Sequence, residues 1–191
     1  MVKLKDDKKI TQIFQAALKL VAKKGLSGMT MGDISKEAGI ATGTLYVYFT
    51  SKDELINALF AACRESSVQV SFKGYQPHTP FKPGFRHIWL NILRYKLQNF
   101  EESVFMEQCY HSPFITADTR EKAQQLSAPF YQLIERGKKE QLIKNIDTGL
   151  LITFMIGTMN ELVKQTHYSG ITLNRSRVNT TFDLCWDALK A

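Results

Sequence analysis

Apolar side chains recur every three or four positions along most of this chain, a spacing that predicts α-helices. The first helix is expected to begin near Ile10 and to end at Gly25. Two short helices are predicted next, over about residues 31–38 and 42–48, with a sharp turn at Gly39 between them. No segment alternates convincingly with a period of two, so the sequence predicts an all-α fold.

Capping residues and helix breakers mark the later elements. Residues 51–54 form a Ser-x-x-Glu capping pattern that predicts a fourth helix. Residues 73–84 contain three prolines and two glycines, so we expect a loop there and a module boundary. Asp147 is expected to open a long apolar helix that runs to about Tyr168, and the last helix is predicted over about residues 174–189.

The two short helices have the dimensions of a helix-turn-helix, whose second helix enters the major groove of DNA. Spacing alone is weak support for that interpretation. Residues 42–52 add hydroxyl, amide and ammonium donors, which are the groups that bind phosphate oxygens and base edges. These candidate DNA-binding residues are Thr42, Gly43, Thr44, Tyr46, Tyr48 and Lys52.

Residues 9–55 resemble the DNA-binding domain of TetR-family transcriptional regulators. The resemblance rests on T-x-x-x-I-x-x-x-A-G-I from Thr30, G-T-L-Y-x-Y-F from Gly43, and S-K-x-E-L from Ser51. It implies an N-terminal three-helix DNA-binding domain over residues 1–50. It also implies a C-terminal helical domain over residues 51–191 that binds a small molecule and forms a homodimer through the last two helices.

Carried over by position, the resemblance assigns Thr44 and Tyr46 to base edges. It assigns Thr42, Tyr48 and Lys52 to phosphate. Gly43 is expected to let the backbone approach the duplex. Packing of Tyr46 against the protein is the alternative.

Many family members have a capping Ser where this chain has Ala41, so we expect Thr42 to cap the recognition helix instead. Three apolar residues of that helix are expected in the core: Leu45, Val47 and Phe49.

Charge and composition refine the picture. The 191 residues are 44% hydrophobic with a net charge of +7, which fits a folded protein rather than a disordered or collagen-like one. Much of the positive charge lies before residue 30. There Lys5, Lys8 and Lys9 either reach a DNA groove as a flexible arm or form a solvated face. Three separated cysteines and the lack of an apolar leader segment favour the cytoplasm.

Aromatic residues are concentrated in the C-terminal part, where the resemblance implies a small-molecule pocket. The aromatic and methionine side chains there favour a hydrophobic or aromatic effector, and an anion bound by nearby basic residues is the alternative. The candidate ligand-binding residues are Trp89, Phe100, Phe105, Cys109, Tyr110, Phe130 and Tyr131. Ordinary core packing is the alternative for each of them.

Apolar faces on the last two helices are expected to form a four-helix interface between two protomers. The candidate interface residues are Leu151, Phe154, Met155, Met159, Leu162, Val178, Phe182, Cys185, Trp186 and Leu189. Packing of the same stripes within one chain is the alternative.

Motifs for a serine nucleophile, a phosphate-binding loop and zinc sites are absent from the sequence, so we expect no enzyme activity, cofactor or metal. The leading hypothesis is a repressor released from a DNA operator by a small molecule. A DNA-binding protein that organises the chromosome without an effector is the alternative.

Overall fold

The computed structural model describes residues 7–110 and 112–191, and within these ranges it contains ten α-helices and no strand. The predicted all-α fold is therefore confirmed. In chain order the helices are α1 Asp7–Gly28, α2 Met31–Glu37, α3 Thr42–Tyr48, α4 Lys52–Phe72, α5 Phe81–Gln98, α6 Phe100–Tyr110, α7 Ala117–Leu126, α8 Ala128–Lys139, α9 Thr148–Tyr168 and α10 Arg175–Leu189.

Several predicted boundaries are confirmed by backbone geometry. Gly25 interrupts α1 with a φ of +74°, and Gly39 turns the chain after α2 with a φ of +65°. Asp147 caps α9 by accepting a hydrogen bond from the Leu150 amide at 2.7 Å. The predicted loop is too long at its C-terminal end, because α5 already begins at Phe81. Proline is tolerated in the first turn of a helix, where amides have no helical partner.

The chain forms two compact packing units. The first contains the described residues up to Glu65 together with Glu101–Ala123, and the second contains Ser66–Phe100 and Gln124–Ala191. A functional boundary after residue 50 stays a prediction. Among the described residues, no helix combines the length and apolar character needed to cross a bilayer.

The core of the first unit is built on one face of α1. Ile13, Ala17 and Val21 have no exposed surface, because their four-residue spacing places them on one stripe. They belong to a cluster that includes Leu45 of α3 and Phe105 of α6. The short helices of the predicted DNA-binding region are therefore held by a shared apolar core.

The core of the second unit is aromatic. Phe85 and Trp89 of α5 pack against Phe182 of α10, with ring centroids 6.3 and 5.5 Å apart. Met155 and Met159 of α9 are buried in the same cluster.

Candidate DNA-binding site

A capping box fixes the start of α2. The Thr30 hydroxyl accepts a hydrogen bond from the Asp33 amide at 3.1 Å, and the Asp33 carboxylate accepts one from the Thr30 amide at 3.2 Å. Lys24 of α1 donates to the same carboxylate at 3.0 Å. Hydrogen bonds from Lys24 and Thr30 lower the pKa of Asp33 below its ordinary value. The first helix of the pair is thus tied to α1.

The turn between α2 and α3 is closed by backbone and side-chain bonds. The Ile40 amide donates to the Ser35 carbonyl at 3.0 Å. The Ser35 hydroxyl donates to the Gly32 carbonyl and lies 2.9 Å from the Thr42 hydroxyl. Because the Ser35 proton is used on Gly32, Thr42 is the donor in the hydroxyl pair. This pair joins the two helices directly.

Those bonds correct the expected role of Thr42. Ala41 precedes α3 without a side-chain cap, and Thr42 does not replace it, since its hydroxyl is directed to Ser35 of α2. A phosphate oxygen only accepts hydrogen bonds. The predicted phosphate contact from the Thr42 hydroxyl would therefore require the bond to Ser35 to break.

One face of α3 is exposed and the other is packed. Leu45 is fully buried, whereas Gly43, Tyr46 and Val47 are exposed. Positions 43, 46 and 47 are three and four residues apart, so they share one side of the helix. We call these three residues the exposed face of α3. The prediction that Val47 lies in the core is wrong: its side chain is 67% exposed.

The other predicted contacts occupy different surroundings. Thr44 is half-buried, and Tyr48 is only 9% exposed and belongs to the core cluster, so its ring does not face solvent. Lys52 donates to the Ser27 carbonyl at 3.2 Å, and its ammonium lies 5.0 Å from the centroid of the Phe114 ring. An ammonium carries three N–H donors, so this one bond leaves room for a phosphate contact.

The predicted basic arm is partly corrected. Lys8 and Lys9 lie in the first turn of α1, so at these two positions the chain is helical rather than an irregular arm. Lys5 lies outside the described residues.

Two side chains outside the motif make long-range hydrogen bonds in the first unit, and no sequence pattern indicates either of them. The Gln108 amide oxygen of α6 accepts a hydrogen bond from the Leu26 amide at 3.0 Å, just after the break in α1. Asn57 of α4 donates to the Phe114 carbonyl at 2.8 Å and accepts from the Thr116 amide at 3.0 Å. Only the folded chain brings these pairs together, since they are 57 to 82 residues apart in sequence.

The candidate ligand-binding residues do not belong to one packing unit. Three are in the first unit, namely Phe105, Cys109 and Tyr110, and four are in the second, namely Trp89, Phe100, Phe130 and Tyr131. Trp89, Phe105 and Cys109 are buried in core clusters, whereas Tyr110 and Tyr131 are exposed. A cleft of about 380 Å³ in the first unit is lined by other residues, including Asn57 and Lys122. The role of the seven candidate residues in ligand binding stays a prediction.

Most of the candidate interface residues are corrected to core residues of the protomer. The seven that are buried within one chain are Leu151, Met155, Met159, Phe182, Cys185, Trp186 and Leu189. Their side chains have almost no surface left to offer a partner. Phe154 is exposed, and Leu162 and Val178 are half-buried, so for these three the interface stays a prediction.

Two helices joined by a tight turn, the second with one exposed face, define a helix-turn-helix DNA-binding module. Comparison with protein families agrees with that geometry. The family described as "Bacterial regulatory proteins, tetR family" matches residues 13–59, and the family described as "Tetracyclin repressor-like, C-terminal domain" matches residues 80–190. The chain therefore belongs to the TetR family of helix-turn-helix transcriptional regulators.

Individual relatives show how far the similarity extends. An HTH-type transcriptional regulator of Haemophilus influenzae is 34% identical over 88 residues, which are 46% of this chain and 47% of that protein. The chain thus matches less than half the length of that relative. AcrR of Shigella flexneri is 23% identical over 177 residues, or 90% of this chain and 80% of that protein. A TetR-family regulator from Marinobacter aquaeolei has a similar structure, with a TM-score of 0.89, 26% identity and 97% coverage of both chains.

Proposed function

We propose that this regulator is a repressor that binds a specific DNA operator through α3 and leaves it when a small molecule binds. The observation that carries the proposal is the exposed face of α3, presented by a helix that is only seven residues long. The Ser35–Thr42 hydroxyl pair and the buried Leu45 fix the orientation of that helix. A fixed recognition helix can make the same base contacts in every complex.

Thr44 and Tyr46 are proposed to contact base edges, and Lys52 and Tyr48 are proposed to contact phosphate. Tyr46 is 49% exposed, which supports a contact, whereas Tyr48 is only 9% exposed, so its proposed contact has less support. The cytoplasmic location predicted from the sequence is part of this proposal, because the operator is there.

A homodimer is proposed to bring two copies of α3 to one operator, and regulators of this family bind DNA as dimers. Support comes from the exposed side of α9, where Leu150 and Phe154 are apolar and lie one turn apart. A side chain at Gly157, on the same side, would meet nothing within 4 Å of its own chain. Close approach of a second helix is therefore possible at that point.

The proposed effector is a hydrophobic or aromatic molecule bound in the C-terminal part of the chain. Support comes from the aromatic core of the second unit around Trp89 and Phe130. Effector binding would favour a dimer whose two recognition helices no longer match the groove, with a coupling of about 1–3 kcal/mol.

Genome-wide selection of bound DNA with the full chain tests this proposal. A repressor gives a few discrete pseudo-palindromic sites, with half-sites one helical turn apart or a multiple of it. If the dimer neutralises about 6–10 phosphates, the affinity falls by roughly 10³–10⁵ between 50 and 200 mM salt. Affinity that does not change with salt would contradict DNA binding. Many scattered sites and no release by ligands would favour the chromosome-organising alternative.

A further inference from the structure

The exposed face of α3 includes one apolar side chain, that of Val47. Val47 is 67% exposed, although Leu45 and Tyr48 on the other side of the same short helix are packed. A single exposed apolar residue is ordinary on a protein surface. Val47, however, lies where the proposed function places the bases of the operator. The chemistry of the base edges therefore indicates which group Val47 would contact.

Gly43 widens the access to Val47. It lies one helical turn before Val47 on the same face. Its φ is not positive, and a Cβ added to it would meet nothing within 4 Å. Neither backbone conformation nor packing in this chain therefore requires a glycine, which weakens a helix relative to alanine. A bare backbone at this position is what close approach of a partner surface requires.

The major groove offers few apolar partners. Base edges there present hydrogen-bond donors and acceptors, and the apolar group among them is the C5-methyl group of thymine. The valine side chain has no hydrogen-bonding group, so it cannot recognise the donors and acceptors of the base edges. Tyr46, its neighbour on the face, ends in a hydroxyl that requires a polar partner.

We infer that Val47 contacts the C5-methyl group of a thymine in each operator half-site and makes that position specific. The inference rests on the proposed function, because it requires α3 to enter the major groove. A contact of Val47 with deoxyribose would bury the same side chain without sequence preference, and the experiment separates the two.

The test uses the full chain and an operator selected from a random DNA library. Each thymine of a half-site is replaced in turn by deoxyuridine, which lacks only the C5-methyl group. At one thymine per half-site the affinity of the wild-type protein is expected to fall about fourfold, or about 15-fold when both half-sites are changed. Fluorescence anisotropy at constant salt measures these losses.

Val47→Ala supplies the second half of the test. The side chain is exposed and alanine favours helices, so the variant is expected to fold normally. It should bind the thymine operator more weakly and show no further loss with deoxyuridine at that position. Leu126→Ala is the matched control, because it shortens an exposed apolar side chain on α7, and it should keep the full deoxyuridine penalty.

The outcomes separate the two proposals. A selected operator at which no thymine shows the penalty, or a penalty retained in Val47→Ala, overturns the role of Val47 while sequence-specific binding stands. A library that yields no preferred sequence overturns the proposed function itself, and the thymine contact with it.

Discussion

At the scale of single residues, Asp33 connects α1 and α2 through its charge. Its pKa is lowered by hydrogen bonds from Lys24 and Thr30, so the ionised carboxylate is favoured in the folded chain. A group whose folded pKa is lowered stabilises the fold above its ordinary pKa, here 3.8, and stops doing so as the pH falls through the folded value.

Asp33→Asn is therefore expected to lower the thermal midpoint at about pH 7, where the wild-type residue is charged. The difference from wild type should shrink as the pH falls from 3.8 through the lower pKa of the folded state, because the carboxyl group of the folded wild type becomes protonated only there. Thermal unfolding followed by circular dichroism measures both. Asp183→Asn, on an exposed position of α10, is the control. An equal loss for Asp33→Asn at every pH would contradict the role of its charge.

The three cysteines should be chemically inert in the folded protein. Burial raises the pKa of Cys109 to about 12 and that of Cys185 to about 11, and it also raises the pKa of Cys63. Since the thiolate is the reactive form, a thiol-reactive dye at about pH 8 should label the native chain very slowly. All three thiols should react in denaturant. One thiol that reacts within seconds in native conditions would show that its site opens.

Val47 shows why single residues are harder to predict than helices. Leu45, Val47 and Phe49 look like one apolar set in the sequence, but they are spaced by two. Two residues correspond to about 200° around a helix, so Val47 points away from the side that holds Leu45. The helical period alone therefore predicts that Val47 is exposed when Leu45 is buried. The bond of Thr42 to Ser35 could not be predicted, because several polar partners of a hydroxyl fit the same sequence.

At the scale of elements, Asn57 holds the segment after α6 against α4 through two hydrogen bonds. Asn57→Ala is expected to lower the free energy of unfolding by about 1–2 kcal/mol, since it removes both bonds. Urea denaturation measures the loss. Hydrogen exchange at the Thr116 amide should also become faster, because that amide loses its acceptor.

Asn145→Ala is the matched control for this change, because Asn145 is an exposed asparagine outside the helices. It should leave both measurements near the wild-type values. Unchanged exchange at Thr116 in the Asn57 variant would show that the segment is held by its other contacts.

Helix boundaries were predictable where a local residue determines them. Gly25, Gly39 and Asp147 act through their own backbone or side chain, so their effect is present in the sequence. The contributions of Gln108 and Asn57 are different, because they depend on which distant segments become neighbours. Sequence patterns identify a helix more readily than they identify what the helix touches.

In the whole molecule, the apolar stripe of an amphipathic helix can pack either against the core of its own chain or against a partner. Met155 and Met159 form such a stripe on α9, and the sequence could not decide between the core of the chain and a partner. In the structure they are packed inside the second unit. The surface left for a partner is the other side of α9, at Leu150 and Phe154.

Phe154→Glu therefore tests the proposed dimer. A carboxylate on the exposed side of α9 would be buried without a partner in the interface, at a cost that favours separate protomers. Sedimentation of the wild type at about 10 µM should show a dimer and that of the variant a monomer, with unchanged helix content because Phe154 is outside the core cluster. Leu126→Glu places the same charge on exposed α7 and should leave the dimer intact. If Phe154→Glu remains dimeric, the interface uses another surface. If the wild type is monomeric, the proposal that a homodimer brings two copies of α3 to one operator is wrong.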